Sequence, residues 1–143
     1  MQDFLFHFSA ISVLPFWALM IFLPHYKKTS QIILSPWIII PPAICYAGLL
    51  FPNSSPELWA FLSSPSPESF ATITKEPWAA SLFWAHAGAF DLFIGRWIFL
   101  DSIHNKVKHF IIAPILGITI FVGPIGYLLY ALTRLGQHLK KDS

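Results

Sequence analysis

The chain has 143 residues, 55% of them hydrophobic and 11% charged, with a formal net charge of +2. A soluble domain carries about a quarter charged residues, so the composition excludes an ordinary soluble domain and points to an integral membrane protein. The few Lys and Arg lie between and after the apolar blocks without a long basic run, which sets nucleic acid aside as a partner.

Met1, Gln2 and Asp3 lead straight into an apolar block with no basic n-region and no cleavage motif, so that block reads as a retained span rather than a signal peptide. Four apolar blocks follow one another, at about 4–23, 32–51, 77–100 and 110–132, each near the ~20 residues a helix needs to cross a bilayer. The expectation is an all-α, four-helix transmembrane domain over 1–143, with both ends of the chain on one side of the membrane. Its partners are then membrane lipids.

In the first block Pro15 removes a backbone hydrogen bond at mid-span, and a kink is expected there. The second block holds Pro36 and the pair Pro41-Pro42, enough to break or strongly bend it. Cys45, the single cysteine, excludes an intramolecular disulfide and a multi-cysteine metal cluster, and reads as a small apolar residue in a span. Between the second and third blocks, Ser55-Pro56-Glu57 and Ser66-Pro67-Glu68 each supply an N-cap, a proline at the first helical position and an acid in the first turn. Two short interfacial helices are predicted, with Trp59, Phe61, Phe70 and Trp78 at headgroup level.

The third block is hydrophobic enough to span, yet it and its continuation carry His86, Asp91, Arg96, Asp101, His104 and Asn105. An ionised Asp at a helix centre costs about 2.5–3.5 kcal/mol on the insertion scale, so a retained one faces protein or a cavity. With about 100° per residue, and His86 at zero, Asp101 falls near 60°, Asn105 near 100° and Asp91 near 140°. Arg96 falls near 280°, toward another helix or a local distortion. His86 and Asp91, about 7.5 Å apart along the axis, are candidates to address two points on one ligand.

Each of these residues also has a structural reading: Asp91 as polar glue between helices, His86 as a hydrogen-bonded structural residue, Arg96 as a snorkelling charge, Asp101, Asn105 and His104 as end-of-helix solvation. The fourth block contains Pro114, Gly117, Gly123, Pro124 and Gly126, and irregular backbone is expected there, against protein or a cavity. Counted over four crossings, Lys27, Lys28, Lys106 and Lys108 balance Lys75, Arg134, Lys140 and Lys141, so the charge rule assigns no orientation. The six histidines are scattered with no metal-ligand spacing, and Gly-rich phosphate loops and nucleophile elbows are absent, so neither metal nor cofactor is expected.

SVLPFWALMIFLP in the first block, WAHAGAFDLFIGRWIFLDSIHN in the third, GPIG in the fourth and SSPELWAFLSS between the second and third together resemble the neoxanthin synthase-like, abscisic-acid-deficient family of plant plastids and its bacterial relatives. The resemblance covers nearly the whole chain. It implies a carotenoid or other isoprenoid ligand and a location in a bacterial inner or photosynthetic membrane. It also implies a cofactor-free isomerisation, in which an epoxide opens and a neighbouring proton is lost, with His86 and Asp91 as general acid and base, Arg96 as a stabiliser of developing oxyanion, and Trp84, Asp101 and Asn105 contacting substrate. A non-catalytic pigment-binding or accessory protein is the alternative. A transporter or proton path is weaker, because only one span carries the polar row.

Overall fold

The computed structural model describes residues 2–139, which are all-helical with no strand among them. The helices are α1 (Gln2–Phe22), α2 (Lys27–Leu34), α3 (Ile40–Leu50), α4 (Pro56–Ser63), α5 (Pro67–Ile73), α6 (Pro77–His104), α7 (His109–Thr119) and α8 (Gly123–Leu139), with a 3-10 turn, Pro36–Ile39, leading into α3. α1 continues through Pro15 as one helix and is long and apolar enough to cross a bilayer. The second block breaks where Pro36 predicts: α2 and the segment from Pro36 to Leu50 are bent by 69°. Pro41 and Pro42 leave α3 intact because they occupy its first turn, where the missing N–H has no intrahelical partner to lose.

The two short helices form as the caps predict. Ser55 Oγ accepts from Leu58 N at 3.3 Å, and Ser66 exchanges bonds with Ser69 in a capping box. Backbone and Ser55 hydrogen bonds hold the exposed Glu57 carboxyl below the usual carboxylate range, so this cap is complete above the ordinary value and is lost as pH falls through the lowered one. Phe61 and Phe70 of this pair meet Phe83 of α6, at 6.0 and 4.9 Å between ring centres, and anchor the loop to the bundle.

α6 is the axis of the bundle, about 42 Å long at 1.5 Å per residue. α1 lies beside it in the same direction. Phe6 stacks on Trp84 near both starts, Trp17 packs on Gly95 farther along, and His109, just past α6, bonds Ile21 O near the end of α1 at 2.9 Å. α3 runs the opposite way, with Gly48 near Leu5 and Tyr46 beside His86. The main core joins Val13, Trp17 and Met20 to Leu92, Ile98 and Phe99, and to Ile112, Ile115 and Leu116 of α7. Cys45, Leu49, Leu82 and Ala85 form a second cluster between α3 and α6.

The block at 110–132 departs from the expected single helix. It is a hairpin: α7 runs back along α6 for 11 residues, about 16 Å, turns at 120–122, and α8 returns beside α6. Gly123 sits against Asp91 and Ile94, Tyr127 and Tyr130 pack on Trp97 at 5.3 and 5.6 Å, and Arg134 reaches Asp101. The reason lies at the turn. Gly126 packs on the hydroxyl, Cβ and Cα of Thr119 so closely that no Cβ fits, while Gly123 and Pro124 open α8. Gln2 therefore lies at the Trp84 end of the bundle and Leu139 beyond the Asp101 end, whereas four full-length helices would bring both to one end.

Gly95→Ala and Gly126→Ala place a methyl where Trp17 or Thr119 already stands, and each is expected to destabilise by about 1–3 kcal/mol. Gly136→Ala, where a Cβ meets nothing within 4 Å, is the control. Thermal melting in detergent measures all three, and a Gly126→Ala protein melting like the control would refute the close hairpin.

Candidate functional site

Two helical stripes face each other across α1 and α6. Positions 10, 13, 14 and 17 on α1 and 84, 87, 88 and 91 on α6 both follow the i, i+3, i+4, i+7 pattern of a single helix face. Because Ala10, Ala87 and Gly88 are small, the helices leave a groove of about 420 Å³ between them, within the ~300–1,000 Å³ range of small-molecule sites. Trp17 and Trp84 stand at its sides, and the hairpin turn closes it with Ile120 and Phe121. Leu14, Trp84 and Phe121 are exposed, so the groove opens sideways from the bundle.

Asp91 is the single ionisable residue of this lining. Its carboxylate is turned onto the backbone N–H of Gly123, the first residue of α8. A helix N-terminus carries partial positive charge and unpaired N–H groups, so the acid is placed where α8 needs an acceptor. The same side chain thus holds a helix end and borders an apolar hollow.

His86 does not join it. The imidazole borders a separate, shallower hollow with Ile39, Ala89, Phe90 and Phe93, its ring parallel to Phe90 at 6.1 Å and 5.7 Å from Tyr46. The ~140° between the two positions is wider than the arc a groove between two helices covers, so the expected joint action on one ligand is not what the geometry provides. Arg96 faces another helix. Its Nε donates to Ile33 O at 2.8 Å and its guanidinium also reaches Leu34 O, capping the C-terminal carbonyls of α2 at the 69° break. It points away from the groove, so it has no developing oxyanion to stabilise there.

Asp101 accepts from the buried Tyr130 hydroxyl and pairs with Arg134 Nε at 3.2 Å, tying α8 to α6. Asn105 Nδ2 donates to Asp101 O at 2.9 Å and ends α6, and His104 is exposed beside it. Of the residues singled out from sequence, Trp84 and Asp91 share the groove, while His86, Arg96, Asp101 and Asn105 lie outside it. The α1 stripe, Gly88 and the hairpin turn are groove components that sequence reasoning missed, although the repeated i, i+3, i+4, i+7 spacing of small and aromatic residues was there to find. Among the described residues no three His, Cys, Asp or Glu come together to hold a metal ion.

These features define a class: an all-helical protein with one helix long and apolar enough to cross a membrane, whose central helix carries charges that cap broken helices, with a lateral apolar groove at one acid. The chain belongs to the ABA DEFICIENT 4-like family, whose model matches residues 4–130. No curated protein and no solved structure matches the chain.

Arg96→Met leaves the last carbonyls of α2 without their donor and is expected to cost about 1.5–3 kcal/mol of stability. A groove probe should bind this variant unchanged, because Arg96 faces α2. Melting temperature and ligand titration on one preparation separate the two effects, and lost binding at unchanged stability would return Arg96 to the site.

Proposed function

We propose that this protein crosses the membrane several times and binds a carotenoid or other isoprenoid lipid in the α1–α6 groove, the oxygen of the ligand's end group meeting the Asp91 carboxyl. One observation carries the reading: an apolar hollow opening sideways, with a single carboxyl in its wall, matches a long hydrocarbon with an oxygenated end. The family relationship supports the carotenoid class. Mass spectrometry of lipid co-purifying with the protein from a carotenoid-producing membrane tests it; a bound lipid with no isoprenoid character would overturn it.

In this arrangement α1, the bent pair around Pro36 and α6 cross the bilayer, and α7–α8 enters and returns. α7, at about 16 Å, covers half of the ~30 Å hydrocarbon core. The charges then no longer balance. Lys27, Lys28, Lys106, Lys108 and Arg134 gather at one end, and Lys75 lies at the other with Asp3, Glu57, Glu68 and Glu76. The basic end is assigned to the cytoplasmic face. In a Cys45→Ala background, cysteines introduced singly at Asp3 and at Gln137 should be labelled by an impermeant maleimide from opposite sides, with Gln137 cytoplasmic. Labelling of both from the same side would restore four crossings.

A catalytic extension is favoured by the solitary carboxyl itself, since an isomerisation returns every proton it takes. The protonated acid gives its proton to an epoxide oxygen as the C–O bond breaks, leaving an alcohol. The resulting carboxylate removes the proton from the neighbouring carbon, whose C–H electron pair closes the new double bond, and the acid is restored. Asp91→Asn should abolish conversion of an added epoxy-carotenoid, followed by chromatography, while the ligand still binds. Conversion by that variant would take Asp91 out of the chemistry, and absence of conversion by the unaltered protein would leave the non-catalytic binding reading, which the engagement of Asp91 by Gly123 favours.

A further inference from the structure

Gly88 stands in the interior of α6, where glycine weakens a helix relative to alanine. The usual structural reasons for accepting this are missing. No glycine among the described residues has positive φ, and a Cβ built at Gly88 meets nothing within 4 Å. Gly95, Gly123 and Gly126 differ, because Trp17, Asp91 and Thr119 fill the space a side chain would need. What the missing side chain of Gly88 leaves is room in the groove wall, on the same helix face as Asp91 and about 4.5 Å before it along the axis.

The dimensions narrow what occupies that room. From Trp84 to Asp91 the groove runs about 10 Å, and Ile120 and Phe121 close it beyond. A long polyene reaching across much of the ~30 Å hydrocarbon core is not enclosed by such a hollow, whereas one ring-sized end is. Trp17 and Trp84 contribute aromatic surface to the lining of the groove.

We infer that Gly88 is the specificity-determining residue of the groove: its open face receives a single ring-sized, oxygen-bearing end group, set beside the Asp91 carboxyl, and the remainder of the ligand stays in the lipid. The inference rests on the isoprenoid reading above and adds which part of the ligand is recognised. A molecule carrying only the end group is then a sufficient ligand, and the length and far end of the chain are read weakly.

The full chain in lipid nanodiscs is titrated with a 40-carbon hydroxylated carotenoid, followed by quenching of tryptophan fluorescence, and then with a single-ring ionone alcohol that displaces it. The short alcohol should displace the carotenoid with a Kd within about tenfold of the carotenoid's own, since recognition is local. Gly88→Leu should weaken both ligands at least about tenfold at an unchanged melting temperature. Gly88→Ala should melt at or above the unaltered protein and bind less tightly, a combination that a glycine needed for packing would not give. Unaltered binding by Gly88→Leu overturns the inference, as does a carotenoid that binds but is not displaced by the alcohol. If the carotenoid fails to bind the unaltered protein at all, the isoprenoid reading itself falls, and this inference falls with it.

Discussion

A helix that stops inside a low-dielectric bundle leaves N–H or C=O groups without partners, and the protein must supply them. This chain interrupts its helices twice, at Pro36 and at 120–122, and in both places α6 answers with a charge of the appropriate sign. Arg96 meets the carbonyl end of α2, and Asp91 meets the amide end of α8. Asp101 then fixes the returning helix through Tyr130 and Arg134. The polar row that looks out of place in a largely apolar helix supplies the partners of the half-helices beside it.

The groove follows from the same arrangement. Trp17 against Gly95 brings α1 and α6 together at one level, while Ala10, Ala87 and Gly88 leave the space between them unfilled at the next. The hairpin turn, brought to that depth by the short α7 and held there by Asp91, forms the end wall. Site and scaffold are therefore coupled through one side chain, since the carboxyl available to a ligand is also the acceptor for the first amide of α8.

Much of this was legible in the sequence because local rules decide it. The Ser-Pro-Glu caps, the break at Pro36, the extent of the first span and the alternative that Arg96 faces another helix all follow from backbone chemistry and helical phase. The hairpin was not, for a physical reason. A run of about 23 apolar residues satisfies the length rule for a crossing, and although its prolines and glycines signal irregular backbone, the direction taken after the break depends on Gly126 meeting Thr119 and Gly123 meeting Asp91, contacts that no local rule contains. The charge tie was a consequence of the same assumption, as it separated Arg134 from Lys106 and Lys108, whereas Arg134 reaches Asp101 at their end of the bundle. His86 and Asp91 border different hollows, because helical phase places both within half a circumference whereas the groove between two helices admits a narrower arc.

The sideways mouth of the groove changes what concentration means for this protein. Under the proposed reading, a ligand that entered between Leu14, Trp84 and Phe121 would never pass through water, so occupancy would be governed by its mole fraction in the surrounding leaflet and not by any aqueous molarity. Two membranes with equal total ligand but different amounts of bulk lipid would load the protein to different extents, and lateral diffusion in the bilayer plane would set how quickly it fills.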